Sequence, residues 1–124
     1  MFSHIVLGCN DLAATQQFYD AALGALGHVP GVDVGGRLMY RSDAGILMIT
    51  PPLSGEAATH AEGGTIGLIA GNKDMVDAFY AAALANGGSC AGEPGERAAI
   101  PGSYAAYVRD PVGNKLVAWH APSA

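Results

Sequence analysis

Apolar and polar positions along the chain alternate with two different periods. From Ser3 to Cys9 the period is two: Ile5, Leu7 and Cys9 share one face, and His4, Val6 and Gly8 share the other. That alternation predicts a strand. From Leu12 the period becomes helical, with Leu12, Phe18, Tyr19, Ala22, Leu23 and Leu26 on one stripe. Asp11 is placed to cap this helix and Gly27 to stop it. Leu38–Ser42 and Ile46–Thr50 then read as a hairpin around Asp43-Ala44-Gly45, ended by Pro51-Pro52. The same order returns. Thr65–Ala70 is a strand, Asn72 a cap, and Met75, Val76, Phe79, Tyr80, Ala83 and Leu84 a buried stripe. Asn86-Gly87-Gly88 is a stop, and Tyr104–Arg109 with Lys115–His120 form a hairpin around Asp110–Asn114. Weaker signals place a short strand after each helix, near His28–Val32 and Ser89–Ala91.

The return is a repeat with a shift of 61 residues. Phe18-Tyr19 falls on Phe79-Tyr80, Ala21-Ala22-Leu23 on Ala82-Ala83-Leu84, Ile5 and Leu7 on Ile66 and Leu68, and Gly27 on Gly88. Tyr40-x-x-Asp43 matches Tyr107-x-x-Asp110 at a larger shift. The reading is a single domain of two modules: module one over residues 1–53, a linker over 54–63, and module two over 64–124. The predicted class is α+β. Two β-α-β-β-β modules form a curled mixed sheet around a cavity, with the helices on its outer face.

Composition narrows the picture. In 124 residues there are 23 Ala and 18 Gly, so helices and strands are expected to approach closely. Six basic residues against eleven acidic ones, with no basic cluster, argue against nucleic-acid or anionic-membrane partners. No apolar run reaches the ~18 residues of a membrane span. Cys9 and Cys90 form no Cys-x-x-Cys pair, so neither a disulfide framework nor a zinc knuckle is expected. The N-terminus lacks a basic region ahead of its apolar stretch and reads as a strand, which makes the cytoplasm the expected location.

Ser3-His4-Ile5-Val6-Leu7, Asn10-Asp11-Leu12 through Phe18-Tyr19, Ala78–Leu84 and above all Tyr104–Lys115 resemble the vicinal-oxygen-chelate superfamily. That superfamily includes glyoxalase I, the bleomycin-resistance proteins and the extradiol dioxygenases. The resemblance runs from Ser3 to about His120. It implies a divalent metal held by ligands from the first and last strands of each module, with the substrate chelating through neighbouring oxygens. It also implies a homodimer.

The chain departs from that pattern at the chemistry. His4 stands at the first-strand ligand position, and its internal counterpart is Thr65. The last-strand position, a Glu in the family pattern, is Val117, and the matching strand of module one, Gly45–Thr50, contains no His, Asp or Glu. A neutral hydroxyl and an aliphatic side chain are poor metal donors. No cofactor is therefore predicted, a divalent metal is disfavoured, and no catalytic residue is assigned. His28, His60 and His120 read as surface residues.

What remains suits a small organic ligand. His4, Val6, Thr65, Ile69, Val117 and Trp119 are expected on the concave face, with Met48 and Tyr104 contributing. The choices between Met39 and Tyr40, and between Tyr104 and Tyr107, stay open. Cys90–Ser103 reads as a long loop that could act as a lid, on which Arg97 is the residue to meet an anionic ligand. Three functions compete: a metal-free protein that binds a small molecule, a metal-dependent lyase, isomerase or dioxygenase using His4 and a recruited ligand, and an assembly role with an empty cavity, whose exposed strands or helices pair into a homodimer. Whether the chain is an enzyme at all is left open by the residues.

Overall fold

A computed structural model describes residues 1–123; Ala124, the end of the module-two range, lies outside the described residues. Module one contains β1 (His4–Gly8), α1 (Leu12–Gly24), β2 (Val32–Val34), β3 (Arg37–Ser42) and β4 (Gly45–Thr50). Module two contains β5 (Ile66–Ile69), α2 (Lys73–Ala85), β6 (Ser89–Arg97), β7 (Ile100–Arg109) and β8 (Lys115–His120). The β-α-β-β-β order holds in both. Each module forms its own four-stranded mixed sheet, β1-β4-β3-β2 and β5-β8-β7-β6. The first strand of each module pairs parallel to the last, and the other pairings are antiparallel.

Both caps act as the sequence suggests. Asp11 accepts from the Ala14 N–H at 3.0 Å, and Asn72 from the Met75 N–H at 2.8 Å. The stops differ by one residue from the simple repeat. Gly27 has φ +94° and His28 N–H donates to the Leu23 carbonyl, whereas in α2 Gly87 has φ +94° and Gly88 N–H donates to the Ala83 carbonyl. Gly88 is needed for space instead. A Cβ there would lie 2.5 Å from Phe18 Cε1, 2.8 Å from the Ala83 carbonyl oxygen and 2.9 Å from that of Arg109.

One core serves both modules. Phe18, Tyr19, Leu38 and Ile49 of module one and Val76, Phe79, Val108 and Leu116 of module two belong to a single buried cluster, in which α1 packs against α2. Polar bonds tie the same junction. Tyr19 Oη donates to Asp110 Oδ2 at 2.6 Å, Asn114 Nδ2 to the Gly8 carbonyl at 3.4 Å, and Gln17 Nε2 to Asn86 Oδ1 at 3.2 Å. The Asp110–Asn114 turn is built around Asp110. Its Oδ1 accepts from the Val112, Gly113 and Asn114 N–H groups, and its Oδ2 also accepts from Asn114 Nδ2. Gly113, at φ +110°, allows that wrap. Residues 54–63 are not a free tether. Asn10 accepts from the Ala58 N–H at 2.7 Å and donates to its carbonyl at 3.3 Å, and buried Ala58 sits against Gly8.

Four expectations change. Cys90–Ser103 is not a loop: β6 and β7 run through it as an irregular antiparallel ladder with three register shifts. The length of the segment as a loop suggested a lid, but bulges absorb its residues within strands. The α2 stripe is narrower than predicted: Leu84 is exposed and Tyr80 half-buried, because α2 has no counterpart of the Tyr19–Asp110 junction. Ala78 and Ala81 face solvent, so only part of the alanine serves close helix–sheet approach. Finally, Tyr40 is not equivalent to Tyr107. Ile5 pairs with Leu47 and Leu47 with Tyr40, as Ile66 pairs with Leu116 and Leu116 with Val108. Tyr40 therefore occupies the place of Val108, and Tyr107 the place of Met39.

Candidate ligand site on the open sheet faces

Each sheet presents one face to the helices and leaves the other open. In module one the helix-side residues are Ile5, Leu7, Leu38, Tyr40, Leu47 and Ile49. The open side carries His4 and Val6 of β1, Arg37, Met39 and Arg41 of β3, and Ile46 and Met48 of β4. In module two Ile66, Leu68, Ala106, Val108, Leu116 and Ala118 face the helices. Gly67, Ile69, Tyr107, Val117 and Trp119 are open. Val6 is 49% exposed and Ile69 79%, so the edge strands carry bare apolar surface in the single chain, whereas Val117, further into the module-two face, is buried.

The registers locate the four positions to which the family resemblance assigns ligands. His4 corresponds to Thr65, and Met48, which pairs with Val6, corresponds to Val117, which pairs with Gly67. The missing fourth position of the sequence reading is thus Met48. The set is one imidazole, one thioether, one hydroxyl and one isopropyl group. The His4 Nδ1 lies 2.8 Å from the Ser3 hydroxyl. Among the described residues no group of three or more His, Cys, Asp or Glu side chains is gathered as a metal site would need. This donor set does not fit a catalytic divalent ion.

Two cavities involve the predicted residues without uniting them. A depression of about 520 Å³ lies over Val6, Arg37, Met48, Thr50 and Leu53. A narrower cleft of about 200 Å³ lies between the β1–β4 edge and β5, with His4, His28, Tyr40, Ile66 and Leu68 among its walls. His28 was read as surface; the stop at Gly27 turns the chain back and brings it to the cleft of His4. Thr65, just before β5, and Ile69, Val117 and Trp119 line neither cavity.

Tyr104 does not belong to the open face. It alternates with Ala105, stands on the α2 side, and donates to Asp77 Oδ1 at 2.7 Å, with Lys73 Nζ 5.5 Å from its ring centroid. That bond to Asp77 raises its hydroxyl pKa. Tyr107 is the open-face tyrosine. The choice was hidden in sequence because β7 begins four residues before the predicted start. Tyr40 likewise faces inward, donating to Asp20 Oδ1 at 2.7 Å, and leaves Met39 to the open side.

Arg97 lies on the open face, though on β6 and not on a lid. Its guanidinium donates to the Gly92 and Glu93 carbonyls at 3.3 and 2.7 Å and stands 5.2 Å from the Tyr107 ring centroid. From the opposite neighbouring strand, β8, Lys115 Nζ stands 5.0 Å from the same centroid. Sequence reasoning did not single out Lys115; the Tyr107–Lys115 spacing across a hairpin could have suggested the pair. Elsewhere, burial above all raises the pKa of Cys9. The Tyr80 hydroxyl is pushed up to about 12, first by its hydrogen bond with Cys90 and last by Glu93.

The fold and site thus define a paired β-α-β-β-β protein whose open sheet faces carry apolar and cationic side chains. The sequence profile of the Glyoxalase/Bleomycin resistance protein/Dioxygenase superfamily matches residues 1–117, and the chain belongs to that family. It is similar to the crystal structure of a glyoxalase/bleomycin resistance protein from Albidiferax ferrireducens T118, with 49% identity, 98% of each chain covered and a TM-score of 0.92. A glyoxalase-related enzyme from Fulvimarina pelagi shares the fold at 18% identity, covering 96% of this chain and 86% of its own, with a TM-score of 0.77. Lactoylglutathione lyase from Agrobacterium tumefaciens does so at 22% identity, covering 96% and 92%, with a TM-score of 0.65. No curated protein matches the sequence. Among the described residues no helix is long and apolar enough to cross a membrane.

Proposed function

We propose that this chain binds a small organic molecule between its open sheet faces, without a resident metal, and acts as a cytoplasmic homodimer. One observation carries the reading. Where the fold's ligands would stand, the side chains are His4, Met48, Thr65 and Val117, and the first two strands of that site frame an apolar depression over Val6 and Met48. A flexible thioether and branched aliphatic groups suit an organic body better than a cation. Exposed Val6 and Ile69 support a second copy covering the open faces. The two free thiols, Cys9 buried and Cys90 exposed, suit a reducing compartment.

The test is metal analysis of protein purified without an affinity tag, before and after addition of zinc, nickel, manganese and ferrous iron. The expected result is substoichiometric metal in every case, with thermal stabilisation by a subset of small organic compounds that Met48→Ala weakens. Stoichiometric metal that is lost in His4→Ala would overturn the metal-free reading in favour of an enzyme built on His4.

A further inference from the structure

The charges of this acidic protein are segregated by face. Five of its six basic residues, Arg37, Arg41, Arg97, Arg109 and Lys115, project from the open sheet faces. The sixth, Lys73, begins α2. Of the strand carboxylates, Asp33 pairs opposite inward-facing Leu38, and Glu96 accepts from the Gly102 N–H at the hairpin tip. Among the described residues no Lys or Arg side chain lies within 4.0 Å of a carboxylate; the single acid–base contact is His60–Glu62 at 3.3 Å. Among the described residues the Lys and Arg side chains are thus free of ion pairs, and five of the six stand on the open sheet faces.

In module two the arrangement is a built one. Arg97 and Lys115 come from the strands on either side of β7 and converge on Tyr107, each about 5 Å from its centroid. Two backbone carbonyls fix the Arg97 guanidinium. Gly92 keeps the space in which it lies, since a Cβ there would be 3.2 Å from both the guanidinium and the Tyr107 ring. Val117 and Trp119 continue the face along β8. A cation pair held over an aromatic ring beside apolar side chains complements a molecule with an anionic head and an apolar body.

We propose that the open face of module two binds an organic anion, its carboxylate or phosphonate head engaged by Arg97 and Lys115 and its apolar body lying along Tyr107 and Trp119. This rests on the small-molecule reading above and gives it a ligand class.

Trp119 is the only tryptophan of the chain, so its fluorescence reports this face directly. The probes are benzoate and phenylphosphonate, with benzamide as the neutral isostere. Both anions are expected to change the emission saturably, to bind at least tenfold more tightly than benzamide, and to weaken as NaCl is raised. Arg97→Gln and Lys115→Gln are each expected to weaken benzoate about tenfold, while Lys73→Gln leaves it unchanged. Equal, salt-insensitive binding of benzamide and benzoate would overturn the anionic preference and leave the small-molecule reading standing. No saturable change with any of the three probes would overturn the module-two site itself. The module-one depression would then have to be judged by Met48→Ala against compounds that stabilise the protein.

Discussion

The Tyr19 hydroxyl shows how much a single residue does here. It is fully buried, packs edge-on against Phe18 with centroids 4.9 Å apart, and reaches across the module boundary to Asp110. Tyr19→Phe removes one of five hydrogen bonds to a buried carboxylate and is expected to cost about 1–3 kcal/mol in denaturant unfolding. The same residue sets a pH limit. Burial, reinforced by Asp110, holds the Tyr19 pKa well above its ordinary value, and burial with Asp20 does the same for Tyr40. In the unfolded chain both ionise near pH 10, while in the folded chain both stay protonated. The unfolded state therefore binds fewer protons above that pH, and stability falls as pH rises. The urea midpoint should begin to fall above about pH 8.5, where Cys9 ionises only in the unfolded chain, and more steeply above about pH 10, with a shallower drop in Tyr40→Phe.

At the scale of elements, the two modules look alike in sequence and differ in how their ends are packed. The helix caps Asp11 and Asn72, the apolar alternation of β1 and β5, and the glycine stops were all legible, because each is decided by neighbours a few residues away. The β6–β7 ladder was not legible. Its Gly-Pro-Gly segment has loop composition, and only pairing with a regular strand makes it a strand. Nor could the register of Tyr40 and Tyr107 be read. The loop between β3 and β4 is shorter than the one between β7 and β8, and one residue of difference turns a side chain to the other face. Two glycines separate space from conformation. Gly88→Ala should destabilise by about 2 kcal/mol or more, since its Cβ would press on Phe18 and on two carbonyls. Gly24→Ala, at the end of α1 with open space around it, should be neutral or stabilise by up to about 1 kcal/mol. Thermal melts of the two variants check both signs.

Over the whole molecule, neither module carries a core of its own. The buried cluster and the Tyr19–Asp110 and Asn114–Gly8 bonds all cross between them. Residues 64–124 expressed alone are expected to lack cooperative unfolding by circular dichroism, a chain of that size being too small to bury enough surface. Sedimentation of the full chain should show a dimer, with Ile69→Lys shifting it toward monomer, because Ile69 is 79% exposed on an apolar face. By itself the sequence determined the repeat, the order of elements and the family, since these follow from local periodicity and from which residue types are present. The tertiary structure alone decided that Met48 stands at the place of Val117, that Tyr107 and not Tyr104 is on the open sheet face, and that five of the six cations share the open faces. Face and register depend on pairing between strands far apart in the chain, and no local pattern encodes them.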